Sequence, residues 1–214
     1  MKKILFLVAL TGLSMTSNAE RVDDPTWEEW HNMEINNVNR LPVHTTFFAF
    51  ENEQVALKGD ITKSKNFLSL HGNWKFNWVR NANECPAGFY ALDYDDSKWG
   101  TMPVPGMWEL NGYGDAIYVN NQYAWRNDWR TNPPYVQDLA NHVGSYRRSF
   151  NIPADWRGQK VYIHIGSATS NIMIYVNGKY VGYSEDAKVA AEFDITSFVK
   201  PGEQNLIAMQ IMRW

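Results

Sequence analysis

Ile172-Met173-Ile174-Tyr175-Val176-Asn177-Gly178-Lys179-Tyr180-Val181-Gly182-Tyr183 is the stretch that decides the fold class. Two apolar-rich runs flank Asn177-Gly178. Asn-Gly is the preferred pair for a type I′ turn, because both central residues need positive φ, so the stretch predicts a β-hairpin. Upstream, Val161, Ile163 and Ile165 share a strand face, and Gly166 closes the run. Tyr146 to Ile152 alternates as well, with Phe150 and Ile152 on one side and Arg147, Ser149 and Asn151 on the other, until Pro153 stops it. Leu70 to Trp78 puts Trp74, Phe76 and Trp78 on one face and Lys75 and Asn77 opposite. Downstream, Lys200-Pro201-Gly202-Glu203 predicts a turn before a last run, Leu206 to Trp214. No long helical pattern separates these strands. The expected class is all-β, a sandwich or jelly roll.

Three regions depart from simple alternation. Leu206 to Trp214 is apolar on both faces, which predicts a strand inside a sheet or between layers. The chain stops within it, leaving an apolar edge of the kind natural domains avoid. The expectation is a longer protein, with this domain incomplete at its C-terminus. Asn81 to Pro134 holds Pro103, Pro105, Pro133 and Pro134 with Gly100, Gly106, Gly112 and Gly114, and is expected to be a functional loop or packing surface. Arg21 to about Lys65 is polar and irregular apart from Trp27, Trp30 and Phe47-Phe48-Ala49-Phe50, the pattern of an extended arm laid over another surface. The expected domains are a signal peptide over 1–19, an arm over 20–65 and a β-sandwich over 66–214.

Lys2 and Lys3, the apolar run Ile4 to Leu10 and the small residues Ser17-Asn18-Ala19 read as a secretory signal cut after Ala19. The expected location is outside the cell or in the periplasm. No stretch approaches ~20 apolar residues, so no membrane anchor is expected. The lone Cys85 makes no internal disulfide, and the fold must rest on its apolar core. A net charge of −3 with dispersed basic residues argues against nucleic acid as a partner. Ten Trp, eleven Tyr and ten Phe suit sugar stacking, although most such rings belong in a β core.

Chemistry is sparse. His31, His44, His71, His142 and His164 show no i, i+4 pair, and one cysteine makes no zinc site. No metal ligand set or cofactor motif is expected in this chain, and His164 is expected to be a satisfied structural histidine. No phosphate loop or Gly-x-Ser-x-Gly elbow occurs. Glycoside hydrolysis needs two carboxylates, but Asp95-Asp96 and Glu185-Asp186 are sequence neighbours that point apart on a strand. Asp95-Asp96-Ser97 looks like turn chemistry. No catalytic residue is expected.

Leu70-His71-Gly72-Asn73-Trp74-Lys75-Phe76 resembles the opening strand of the sugar-binding jelly-roll domain in family 2 glycoside hydrolases. Asp95-Asp96-Ser97-Lys98-Trp99, Val104-Pro105-Gly106-Met107-Trp108, Gly144 to Phe150, Val176 to Tyr183 and Glu192-Phe193-Asp194-Ile195 follow in the family's order. Trp27-Glu28-Glu29 with Asn39-Arg40-Leu41-Pro42-Val43-His44 resembles the arm of the β-galactosidase type. Tyr118-Val119-Asn120-Asn121-Gln122-Tyr123 resembles that type's loop toward the galactose site.

The resemblance implies that Asn120 contacts the substrate, a β-galactoside, with Asn121 a weaker candidate; an amide suits sugar hydroxyls because it both donates and accepts. It also implies a catalytic (β/α) barrel in the same polypeptide that supplies both catalytic glutamates and the ligands for Mg2+ and assisting Na+. Assembly of a homo-oligomer through the arm is a further implication. The alternative is a stand-alone secreted carbohydrate-binding module without hydrolase activity.

Overall fold

The computed structural model describes residues 28–118 and 136–214. Its body is a seven-stranded antiparallel sheet built from β1 (Asn37–Val38), β2 (Gly72–Val79), β3 (Gly100–Val104), β4 (Val143–Asn151), β6 (Asn171–Val176), β7 (Lys179–Glu185) and β9 (Gln204–Met212). The strand order is β1-β7-β6-β9-β4-β2-β3, and a second sheet pairs β5 (Tyr162–Ile165) with β8 (Ala191–Asp194). This is the expected all-β jelly-roll sandwich.

The inner face of the large sheet follows from alternation. Cross-strand register aligns Phe76, Tyr146, Met209, Ile174 and Gly182 in one row. Ile163 of β5 and Phe193 of β8 join that row in one buried cluster with Trp74, Ile172 and Ile207. Two glycines set how closely the layers meet. A Cβ on Gly182 would lie 2.8 Å from Phe193 Cε1 and would also strike the Val38 carbonyl. A Cβ on Gly144 would lie 2.6 Å from Trp108 Cζ2 and 2.7 Å from Phe76 Cε2. Trp108, admitted there, donates from Nε1 to Tyr146 Oη at 2.5 Å.

The hairpin forms as its sequence dictates, with φ of 51° at Asn177 and 78° at Gly178. Asn177 does more than turn the chain. Its Nδ2 donates to Phe198 O (2.8 Å) and Asn205 Oδ1 (2.7 Å), and its Oδ1 accepts from Leu206 N at 2.9 Å. One side chain thereby fastens the turn to the start of β9. The predicted turn at Lys200–Glu203 also forms, closed by Glu203 N donating to Lys200 O at 3.1 Å.

Two expectations change. β9 leaves no apolar edge: it lies between β4 and β6 and is paired with both. The sandwich topology returns the last strand to the middle of the sheet, which explains why both its faces are apolar. The irregular stretch after Asn81 contains a strand, β3, whose Pro103 faces Asn73. A residue without an N–H is tolerated because β3 is an edge strand with one neighbour. On the polar side of β4, Ser149 and Asn151 are exposed, whereas Arg147 is buried, at 4% exposure.

The outer face of the large sheet is buried by other parts of the chain. Trp30 of α1 (Glu28–His31), Ala82 and Phe89 cluster there with Val143, Met173, Tyr175, Tyr183 and Met212. Tyr90 stacks on Tyr175 at 4.3 Å with ring planes 5° apart. Arg147 pins this covering segment. Its Nε reaches Asp96 Oδ2 at 2.8 Å, and its Nη1 donates to the carbonyls of Phe89 and Ala91. Residues after β1 continue along the second sheet, where Leu41 N donates to Glu192 O at 2.8 Å.

Candidate functional site

Three pieces of chain meet at one pole of the sandwich: the end of β9, the approach to β4, and residues 107–118. Their meeting point is Arg213. Its Nη1 lies 3.0 Å from His142 Nδ1, its Nη2 donates to Asp115 O at 3.0 Å, and Nη2 faces Glu109 Oε1 at 3.3 Å. Backbone bonding prepares the contact, because Arg213 N donates to His142 O at 2.9 Å. Asp115 is held from its other side by Arg80 Nη2 at 3.3 Å. The ring of Trp78 lies 5.0 Å from that of His142. Burial, then Arg213 and Arg80, hold the His142 pKa below the ordinary histidine value.

Beside this cluster, Trp214 N donates to Asn141 Oδ1 at 3.1 Å, and Trp214 O accepts from Trp30 Nε1 at 3.0 Å. Two buried polar atoms at the same pole, Trp78 Nε1 and Asn171 Oδ1, have no hydrogen-bond partner among the described residues. The segment over the pole also presents apolar side chains to water, with Leu110 82% and Tyr118 89% exposed. Binding and positioning are what this arrangement can do. Its two carboxylates, Glu109 and Asp115, are each engaged by an arginine.

Asn120 and Asn121, the expected substrate contacts, lie outside the described residues. The chain enters that stretch from Tyr118, directly beyond the Arg213 cluster. The adjacent carboxylates take structural partners. Asp95 Oδ1 accepts from Ser97 N at 3.0 Å, Asp96 binds Arg147, and Glu185 Oε1 accepts from Tyr183 Oη at 2.6 Å. His164 is satisfied as expected, with Nδ1 2.8 Å from Glu192 Oε1. Sequence reasoning missed that Glu192 also meets His44, whose Nε2 is 3.0 Å from Oε2. The Thr45 carbonyl and then Glu192 raise the His44 pKa. Partial burial pushes the Glu192 pKa up, but hydrogen bonds from both histidines outweigh it and hold the carboxyl below its usual range.

Sequence reasoning also missed the roles of Arg213, His142, Glu109 and Asp115. No local signal could have shown them, because the Arg213 contacts to His142 and Asp115 span 71 and 98 residues. Among the described residues, no group of three His, Cys, Asp or Glu side chains is placed to hold a metal ion. No helix among the described residues is long and apolar enough to cross a membrane.

The described residues thus form a jelly-roll sandwich whose pole gathers a polar cluster beside exposed apolar side chains. Residues 67–214 match the family of glycosyl hydrolases family 2, sugar binding domain, and the chain belongs to that family. It is 37% identical over 189 residues to a β-galactosidase of Priestia megaterium, covering 88% of this chain and 18% of that protein. It is 31% identical over 211 residues to the β-galactosidase large subunit of Leuconostoc lactis, covering 93% of this chain and 32% of the relative. Among solved structures it resembles a β-glucuronidase of Bacteroides uniformis at a TM-score of 0.49 and 25% identity, covering 68% of this chain and 14% of that one. The chain thus spans less than a third of the length of these curated relatives, 18% of one and 32% of the other.

Proposed function

We propose that this chain is the sugar-binding segment of a secreted β-galactosidase that removes terminal β-linked galactose. The observation that carries this reading is the 37% identity across 88% of the chain to a β-galactosidase of which it spans only 18%. In this reading the chain shapes the substrate pocket. Its general acid, its nucleophile and the sites for Mg2+ and Na+ come from a (β/α) barrel elsewhere in the polypeptide.

The pole around Arg213 supports a place for that packing. It combines exposed Leu110 and Tyr118 with buried polar atoms that lack partners among the described residues. Asn120, with Asn121 as the weaker candidate, hydrogen-bonds galactose hydroxyls. Residues 1–19 direct export to the periplasm or medium, and the arm over 20–65 joins subunits of a homo-oligomer.

The test is Asn120→Ala in the continuous polypeptide. A lost hydroxyl contact in the transition state predicts roughly a tenfold or greater fall in kcat/KM for a chromogenic β-galactoside, about 1.4 kcal/mol. Unchanged kinetics would remove Asn120 from the site. Amino-terminal sequencing of the exported protein checks the leader, with Glu20 as the expected first residue.

A second reading, a free-standing carbohydrate-binding module, is favoured by the pairing of β9 along both its edges. Calorimetric binding of galactose by the chain alone at micromolar affinity would support it. Absence of such binding favours the first.

A further inference from the structure

The contact between Arg213 and His142 admits one protonation state. A guanidinium carries donors only and does not lose its proton in proteins. His142 Nδ1, 3.0 Å from Arg213 Nη1, must therefore accept, so the ring is neutral with its proton on Nε2. Water does little to soften this requirement, because His142 is 3% exposed and the Arg213 side chain 12%.

The same guanidinium holds the segment above it. Nη2 donates to Asp115 O at 3.0 Å and faces Glu109 Oε1 at 3.3 Å. Gly114 lets the backbone lie this close: a Cβ there would be 3.1 Å from His142 Nδ1 and 3.6 Å from Arg213 Nη1. The charged groups facing the imidazole are Arg213 after β9, Arg80 after β2, and Glu109 and Asp115 from the segment itself. The Trp78 ring forms the remaining wall.

We propose that His142 is a proton-controlled fastener: its neutral ring seats Arg213, and protonation unseats Arg213 and releases residues 109–118 from the sheet while the sandwich stays folded. Protonation converts the acceptor at Nδ1 into a donor and sets a second cation against a first. The contact cannot survive in that form, and Arg213 leaves with its bonds to Asp115 and Glu109. Release exposes the pole and changes how Leu110 and Tyr118 are presented.

The direction with pH follows from the environment. Burial, Arg213 and Arg80 lower the His142 pKa against the opposing pull of Asp115 and Glu109. Its contribution is complete above the ordinary value near ~6.5, and falls as pH drops from there toward the lowered folded value. The device uses only this chain's own residues and stands independently of the proposed hydrolytic role.

Hydrogen exchange of the purified chain tests it. The amides of Asn111 and Tyr113 both donate to Trp108 O, at 2.9 and 3.0 Å, and report on the segment. After correction for intrinsic rates, their protection should fall by up to roughly tenfold per pH unit across the window, while β6 and β9 amides keep theirs. In His142→Gln, whose amide oxygen accepts without titrating, the fall should disappear. Protection that does not change with pH, or the same fall in wild type and variant, overturns the proposal.

A second readout needs no substitution. The His142 ring, assigned through its contact with Trp78, should show at neutral pH an unprotonated Nδ1 and a protonated Nε2 in nitrogen-15 spectra. A protonated Nδ1 overturns the assignment.

Discussion

On the inner face of the large sheet, Phe76, Tyr146, Met209 and Ile174 form an apolar row that meets the second sheet through Phe193. On the outer face the parallel row reads Asn77, Ser145, Gln210 and Met173. Ser145 and Gln210 are as inaccessible as any core residue, and Gln210 Nε2 donates to Ser145 Oγ at 2.9 Å. Ser145, Gln210 and Met173 are buried as deeply as the inner row, but by different means. The inner face is closed by the second sheet together with Trp108, mainly through apolar contacts. The other is closed by irregular chain, and that chain brings backbone carbonyls which must find donors. Arg147 is the donor, and its guanidinium is spent on Phe89 O, Ala91 O and Asp96.

The comparison is broken most severely from the inner side. Phe193→Ala removes a fully buried ring and should cost about 4 kcal/mol in denaturant unfolding, with every probe moving together. Arg147→Met strikes the outer face and leaves Asp96 and two carbonyls without their donor. It should cost about 3 kcal/mol, less than a fully sealed ion pair because Asp96 keeps some solvent. Its signature is local: exchange in residues 89–96 should rise ahead of global unfolding. If those amides stay protected, Arg147 does not hold the covering layer.

Gly144→Ala tests the closeness of the inner packing. Its methyl would press on Trp108 and Phe76 at 2.6 and 2.7 Å, and the expected loss is about 2 kcal/mol. Gly178→Ala asks less of the structure, since only the turn φ of 78° is strained, and should cost about 1 kcal/mol.

The smallest effect lies outside both faces, where His44 meets Glu192. His44 has a raised pKa, so its hold on the arm is complete below the ordinary histidine value and is lost as pH rises through the raised one. Glu192 has a lowered pKa, so its share is present above the usual glutamate value and lost as pH falls through the lowered one. Proteolysis near Phe47 should be slowest between these limits and lose that pH dependence in Glu192→Gln.

What could be read in advance follows the same division. The Asn177-Gly178 hairpin and the Trp74–Phe76–Trp78 face were legible because turn chemistry and period-two alternation are local. β9 was legible as an interior strand, but its two partners were not, since β4 and β6 lie far back in the chain. β3 was hidden by Pro103, which reads as a breaker until its edge position is known. Arg147 read as one of a row of polar residues because nothing near it in sequence announces Phe89 or Ala91. At the pole, the family signature pointed to Asn120 and Asn121, outside the described residues, while the cluster around Arg213 was invisible to any local pattern.

Turnover of a chromogenic β-galactoside tests the functional account most directly, with the purified chain assayed alone and again joined to the remainder of its polypeptide. No turnover above buffer by the solitary chain, with hydrolysis only in the joined form, is the predicted result. Hydrolysis by the solitary chain, abolished by replacing one of its own carboxylates, would contradict it.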